Sequence, residues 1–241
     1  MQDCKIIDDA ARIKTRLGVV IINYRTAALT IQCLETLQPQ LAAVGGYAII
    51  VDNNSGDSSA DEIARWIESA GAADCMELVR SPRNAGFSAG NNIGLKKIDA
   101  EFYLLLNSDT LLREDALQSM ITAMGAHPNA GALGPRLEYE DGEPQQSAFR
   151  FISPVSEFLA GAETGPISKL LKGFQVALPL PSTPVQCDWV SFACVLLRGD
   201  AVFDAGMMDE GFFMYFEDAD YCRTLKKSGW STVYDPSAKV V

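Results

Sequence analysis

The sequence predicts an α/β protein with a mostly parallel central sheet flanked by helices on both faces. Four short segments, 17–22, 47–51, 76–79 and 102–106, read as strands, and all but 76–79, which holds Glu77, are apolar without polar alternation, as strands buried on both faces are. Segments of helical periodicity separate them, and strand–helix alternation folds into a parallel sheet. Each apolar run also stops abruptly in polar residues. In open α/β sheets, the carboxyl ends of the strands are where ligands bind.

The first run ends at Asn23-Tyr24, and Thr26 then caps a helix to about Gln38, with Leu29, Cys33, Leu34 and Leu37 on its apolar face and Pro39 beyond it. The second runs into Asp52-Asn53-Asn54-Ser55-Gly56-Asp57. Ser58 or Ser59 then starts a helix through Ile63, Trp66 and Ile67 that stops at Gly71. After the third comes a Gly- and Asn-rich stretch, 83–94, with a short helix from Ser88 to about Ile98. The fourth ends in Asn107-Ser108-Asp109, and a helix over 113–126 carries Glu114 and Asp115 in its first turn, where negative charge favours the macrodipole.

The pattern changes after Pro128. Stretches 131–139, 145–150 and 185–197 read as irregular strands, and 149–184 as a long excursion holding five prolines. Helices over 200–205 and 217–227, the latter closed by Gly229, precede a last strand at 231–234. The reading is an N-terminal extension, 1–16, followed by one domain, 17–241, in two halves, 17–128 and 129–241.

Bulk properties exclude some classes. A chain of 241 residues is ample for one large core. A net charge of −11 argues against a nucleic-acid backbone as partner. Cys4, Cys33, Cys75, Cys187, Cys194 and Cys222 form no CxxC and have no His partners at zinc spacing, so they read as free thiols in a reducing compartment. Residues 1–16 lack an apolar signal core, and no run approaches the roughly 20 apolar residues that span a bilayer. A cytoplasmic protein is expected.

The chemistry starts at the strand ends. Asn23, Asp52 and Asp109 converge on one crevice in such a sheet. Asp52 suits a base N–H or ribose hydroxyls, and Asp109 offers a hard oxygen to Mg²⁺ or Mn²⁺ on a diphosphate. An Asx turn is the alternative reading for either acid. No GxGxxG follows the first strand, which excludes a Rossmann dehydrogenase, and no GxxxxGK[ST] occurs anywhere. Phosphate charge would then be met by a cation.

A second constellation joins the run Phe212-Phe213-Met214-Tyr215-Phe216 to Glu217, Asp218 and Asp220 at a helix start. Acids there cap a helix, but three exceed what a cap needs. An apolar wall raises a carboxylate toward the range of a useful general base, and aromatic faces pack on sugar rings. Helical phase sets Glu217 and Asp220 one turn apart, with Asp218 pointing elsewhere.

Five motifs in order carry a resemblance. They are Val20-Ile21-Ile22-Asn23-Tyr24, Val51-Asp52-Asn53-Asn54-Ser55, the Arg83-Asn84-Ala85-Gly86-Phe87 stretch continuing through Gly90 and Asn91 to Gly94, Leu105-Leu106-Asn107-Ser108-Asp109-Thr110, and the aromatic–acidic run just described. Together they resemble the inverting glycosyltransferases of family 2, in particular the bacterial rhamnosyltransferase-like branch that builds surface polysaccharide. The resemblance covers 17–241. It implies a GT-A fold, with a Rossmann-like, mostly parallel sheet in the donor-binding half and a smaller mixed sheet on the acceptor side. It also implies a hexosyltransferase-type activity, a dTDP-rhamnose or UDP-sugar donor, Mg²⁺ or Mn²⁺, and a saccharide or lipid-linked acceptor met at the inner face of the membrane.

Carried over by residue, Asp52 contacts the base and Asp109 the metal. Asn107 and Ser108 complete the Asp-x-Asp-like motif. Asn23, Tyr24, Asn53, Arg83, Asn84, Gly86, Gly90 and Asn91 line the donor pocket. Asp218, beside Glu217, is the base. Trp189, Phe213, Tyr215 and Asp220 are acceptor-side candidates.

The chain departs from the family pattern in three ways. Phe192 stands where a Gly-Ala-x-x-Leu-x-Arg segment has glycine. A metal-ligand His is due just past the last strand, where the sequence ends at Val241; this reads as a C-terminal truncation, and His127 as structural. The 149–184 excursion carries no motif, and lipid contact or plain loop packing suits it equally. A sugar-1-phosphate nucleotidyltransferase would need a Gly-rich, basic loop where Asn23-Tyr24-Arg25-Thr26-Ala27 stands. A non-catalytic nucleotide-sugar-binding module would not need Glu217-Asp218.

Overall fold

The computed structural model describes residues 12–152, 176–178 and 181–241. The expectations for 1–11 and for most of the 149–184 excursion lie outside the described residues.

Strands β1 (Ile13–Asn23), β2 (Gly46–Asp52), β3 (Met76–Arg80) and β4 (Ile98–Asn107) alternate with helices α1 (Ala27–Val44), α2 (Ser59–Ser69) and α3 (Phe87–Lys97), and α4 (Ala116–Ala126) follows. Then come β5 (Ala130–Leu137), β6 (Ala148–Phe149), β7 (Val185–Cys187), β8 (Trp189–Val190) and β9 (Cys194–Arg198). The helices α5 (Gly199–Ala205) and α6 (Glu217–Lys227) precede β10 (Ser231–Val240).

Eight strands form one sheet in the order β3-β2-β1-β4-β9-β5-β10-β7, and β6 pairs with β8 in a second, small sheet. The first four strands are mutually parallel, as are β5 and β10; β9 and β7 run antiparallel to their neighbours. The chain winds outward from β1 to β3, then returns past β1 to β4. The carboxyl ends of β1 and β4 are therefore the topological switch point, where a crevice opens.

Side-chain alternation builds two cores. Leu17, Val19 and Ile21 of β1 pack with α1, α2 and α4 through Leu34, Ile63 and Met120. Val20 packs on the other face with Leu95 of α3, Val202 of α5 and Tyr221 of α6. This is the layered α/β/α arrangement that the unbroken apolar runs predict.

Four local expectations are corrected. Helix α1 passes through Pro39 and ends at Gly45, whose φ is +63°. The missing N–H costs about 3 kcal/mol, but continuing buries Leu41 and Val44 completely or nearly so, at about 1.5–3 kcal/mol each. Leu29 is exposed, and the buried stripe runs instead through Ala27, Thr30, Cys33, Leu34 and Leu37. Glu114 and Asp115 precede α4, because Leu112 bridges to Val240 and Arg113 donates its N–H to the Lys239 carbonyl, holding the segment extended. The last strand runs to Val240. Pro236 falls in an irregularity between Asp235 and Lys239, where a strand tolerates proline.

Arg198, at the end of β9, closes the loop from α4 to β5. Its guanidinium donates to the carbonyls of Ala130 (2.9 Å), Met124 (2.9 Å) and His127 (3.1 Å). Replacing Arg198 with leucine leaves these carbonyls without their charged donor and should cost about 2–3 kcal/mol of stability, read as a fall in the denaturation midpoint with unchanged m.

Candidate functional site

The carboxyl end of β1 is fixed by one buried amide. Asn23 Nδ2 donates to Asp52 Oδ1 at 2.7 Å and Ser55 Oγ at 3.1 Å, tying the ends of β1 and β2. Its Oδ1 accepts from the hydroxyls of Thr26 (3.2 Å) and Thr30 (3.0 Å) at the start of α1. Thr26 Oγ1 also lies 3.2 Å from Ser108 Oγ, which brings the end of β4 into the same knot. Thr26 stands at the N-cap of α1 as expected, but its side chain makes no cap hydrogen bond and binds Asn23 and Ser108 instead. No site role was expected of it or of Ser55, since a Ser or Thr just past a strand is too common to mark a site.

Above this knot lies a cavity of about 520 Å³. Tyr24, Asn53, Asn84 and Gly86 wall one part of it, and Asn107, Ser108 and Asp109 line it from the end of β4. Glu217 and Asp218 at the start of α6 line it too, beside Phe213 and Tyr215. The strand-end acid and the helix-start acids, 108 residues apart in sequence (109 to 217), thus share one cavity.

The donor-pocket expectations divide. Asn53, Asn84, Gly86 and Tyr24 line the cavity, whereas Asp52, Arg83, Gly90 and Asn91 do not. Asp52 is 5% exposed, and its oxygens accept from Asn23, Ser55 Oγ (2.6 Å) and the Ser55 N–H (3.2 Å). It braces the floor from below. Arg83 is exposed at the surface, Gly90 packs on Ile22, where a Cβ would come within 2.9 Å of that side chain, and Asn91 donates to the Phe87 carbonyl within α3.

Asn53 is 3% exposed and differs from its neighbour. Its Nδ2 donates to Asn84 Oδ1 (2.9 Å) and the Gly86 carbonyl (3.1 Å), both acceptors, which fixes the amide's orientation. Its Oδ1 is then a buried acceptor without a partner, on a residue of the cavity wall. A lone carbonyl oxygen so placed suits an N–H on a ligand.

Gly86 has φ +92°, and a Cβ there would meet the Phe213 carbonyl oxygen at 2.3 Å. The neighbouring Phe87 N–H donates to that same oxygen at 2.7 Å. Asn92 makes a second tie, accepting from the Met208 N–H (3.0 Å) and donating to the Met208 carbonyl (2.9 Å) and to Glu210 (3.0 Å). The loop before α6 is thereby held against α3. Sequence reading missed Asn92, since nothing in its spacing distinguishes it from Asn91.

Burial raises both acids of α6 above the ordinary carboxylate range: desolvation acts first on each, and the Asp218 charge adds to it at Glu217. Asp218 Oδ1 accepts the Ala219 N–H at 2.8 Å, and Glu217 Oε2 is buried without a partner. The phase expectation is corrected here. Glu217 and Asp218 share the cavity, while Asp220 lines a separate one with Trp189. Side chains on a helix lean toward its N-terminus, so the first two residues both reach over the end.

Among the described residues no three His, Cys, Asp or Glu side chains form a metal cluster. His127 caps α4, lies 3.8 Å from Asp235 and does not line the cavity that Asp109 lines. Val241 pairs with Leu111, two residues beyond Asp109. The five described cysteines are free thiols, and no helix among the described residues is long and apolar enough to cross a membrane.

Known proteins resemble this chain in sequence and in fold. The chain is 32% identical over 145 residues, 58% of its own length and 46% of the relative's, to the N-acetylglucosaminyl-diphospho-decaprenol L-rhamnosyltransferase of Mycobacterium tuberculosis. It is 24% identical over 216 residues to the low-salt glycan biosynthesis hexosyltransferase Agl10 of Haloferax volcanii, covering 88% of this chain and 62% of that one. Rhamnosyltransferase WbbL of Escherichia coli is 24% identical, over 63% of this chain and 58% of its own. The chain therefore spans about half to three-fifths of the length of these relatives. In structure it is similar to GalNAc-T7 with UDP, GalNAc and Mn²⁺ (TM-score 0.68, 12% identity, 94% of this chain and 42% of that one). It is also similar to the mannosyltransferase PcManGT from Pyrobaculum calidifontis with GDP-Man and Mn²⁺ (TM-score 0.64, 17% identity, 99% of this chain and 60% of that one). Both are GT-A glycosyltransferases, and the likeness gives this chain the GT-A fold. With residues 18–176 matching the family described as Glycosyl transferase family 2, the chain belongs to that family.

Proposed function

We propose that this chain transfers a sugar from a nucleoside-diphosphate donor to a hydroxyl of a saccharide or lipid-linked saccharide, with inversion at the anomeric carbon. The observation that carries the reading is the single cavity shared by Asp109 and the desolvated Glu217-Asp218 pair. An L-rhamnosyl donor such as dTDP-rhamnose is favoured by two of the relatives' names, and a lipid-linked acceptor by the diphospho-decaprenol in one of them. An acceptor of that kind brings peripheral contact with the inner face of the membrane.

In this reading Asn53 Oδ1 takes an N–H of the base, a role that Asp52 does not fill because its oxygens are taken by Asn23 and Ser55. Tyr24, nearly half exposed on the same wall, offers its ring face to the base. Asp109 is exposed at the end of β4 beside Asn107 and Ser108, and one carboxylate plus substrate phosphates is an ordinary Mg²⁺ or Mn²⁺ environment, so the residues fit such a cation. When bound, the cation neutralises charge on the leaving diphosphate.

Asp218 acts on the acceptor. With Oδ1 occupied by the Ala219 N–H, Oδ2 is left to take the proton as the acceptor oxygen bonds to the anomeric carbon. The bond from that carbon to the diphosphate breaks in the same displacement. A carboxylate raised by burial is a stronger base than one in water.

Five outcomes test this. Asp218→Asn should lower turnover by about 10²–10⁴-fold in a nucleotide-release assay while leaving donor affinity unchanged. Its melting temperature should hold or rise at neutral pH, because burial penalises the native charge and the penalty fades as pH falls. Asp109→Ala should abolish the Mn²⁺-dependent part of the thermal shift given by UDP or dTDP, and Asn53→Leu should weaken that shift with metal present. The base must be ionised, so burial should move the acid limb of the kcat/KM profile up from where an ordinary aspartate would put it, and the limb should vanish in residual Asp218→Asn activity. Stabilisation by a nucleoside triphosphate with sugar-1-phosphate instead would favour a nucleotidyltransferase.

A further inference from the structure

Helix α6 has a second cavity on its other side. It holds about 230 Å³ and is walled by Phe151, Trp189, Phe212, Phe216, Asp220 and Arg223. The first turn of α6 separates the two: Glu217 and Asp218 line the main cavity, while Phe216 and Asp220 line this one.

We propose that this second cavity is a saccharide subsite on the acceptor side, holding one sugar ring away from the one that reacts. The inference rests on the transferase reading and adds a binding place to it.

Three features point to a sugar ring. The first is size: 230 Å³ is below the roughly 300–1,000 Å³ of cavities for drug-sized ligands, so one ring fits and a long chain does not. The second is the wall. Trp189 is stacked on Phe149 with centroids 4.0 Å apart and 14° between planes, and its indole N–H donates to the Arg150 carbonyl at 3.1 Å. That ring is held rigidly, as a stacking platform requires. Phe216 is 66% exposed although it lines the cavity, with a φ of +70° that sets its side chain apart from the helix it precedes. The third is the polar pair. Asp220 and Arg223 lie one helical turn apart on the same wall, an acceptor and a five-donor fork of the kind that holds neighbouring hydroxyls. The Arg223 guanidinium rests 4.9 Å over the Phe151 ring, which orients it at the cavity mouth. A cavity for a lipid chain needs neither charge.

Saturation-transfer NMR on the full chain tests this, with methyl glycosides of glucose, galactose, mannose, rhamnose and N-acetylglucosamine as probes, with and without UDP and Mn²⁺. At least one glycoside should bind. Arg223→Met should weaken it about tenfold or more, the equivalent of one lost charge-assisted hydrogen bond, and Asp109→Ala should leave it intact. Trp189→Ala should abolish binding; because loss of its stack could unsettle the small sheet, exposed Arg223 supplies the independent variant. The inference is overturned if no glycoside binds, or if binding survives Arg223→Met unchanged. It is equally overturned if the chain instead binds phosphatidylglycerol–phosphatidylethanolamine vesicles through Arg223. The UDP–Mn²⁺ thermal shift reports separately on the transferase reading, so a failed subsite and a failed donor site are distinguishable.

Discussion

The buried amide of Asn23 is the contact on which the site depends. It sits where two parallel strands and a helix end together, and each of those ends leaves polar groups out of reach of water. An unpaired polar group there costs about 1–3 kcal/mol, so the ends must be matched to one another. Asn23 does this with both halves of its amide, toward Asp52 and Ser55 on one side and Thr26 and Thr30 on the other. The contact of Thr26 with Ser108 extends the match to β4. Asp109 then emerges at a fixed height above the sheet.

Against that fixed floor, the opposite wall is brought in by long-range contacts. Asn92 and the Phe87 N–H hold the 206–216 loop to α3, and Gly86 is the residue that lets the two backbones meet. The loop delivers α6, whose first two residues reach over the cavity. Their carboxylates are desolvated by the same packing that positions them, so geometry and basicity share one cause. Helix α6 separates two cavities of different character, one acidic and next to Asp109, the other aromatic with an Asp–Arg pair.

Much of this was legible in the chain. The unbroken apolar runs 17–22 and 102–106 marked central strands, because only a strand covered on both faces has no polar alternation. The ends of those runs marked the crevice with Asn107 and Asp109, whereas helical phase turned Asp218 away from it and only the family resemblance named that residue. What local pattern could not resolve was which of two adjacent residues faces the ligand. Asp52 carries the charge and attracts attention, but Ser55 and Asn23 occupy its oxygens, and the neutral Asn53 holds the open acceptor. Pro39 misled for a related reason: the local cost of proline is readable, the burial that outweighs it is not.

By itself the sequence determined the α/β class, the parallel strand–helix alternation of its first half and the residue types of the site. These follow from periodicity and from chemistry that acts over a few residues. Tertiary structure alone decided that β9 inserts antiparallel between β4 and β5, so that one sheet runs through both halves. It also decided that Glu217 pairs with Asp218 rather than with Asp220 at the cavity, and that Trp189 and Asp220 belong to a second one. These outcomes turn on contacts between residues far apart in sequence, such as Leu106 with Cys194 and Asn92 with Met208. No local pattern encodes such contacts, because their energy arises only when the distant surfaces meet.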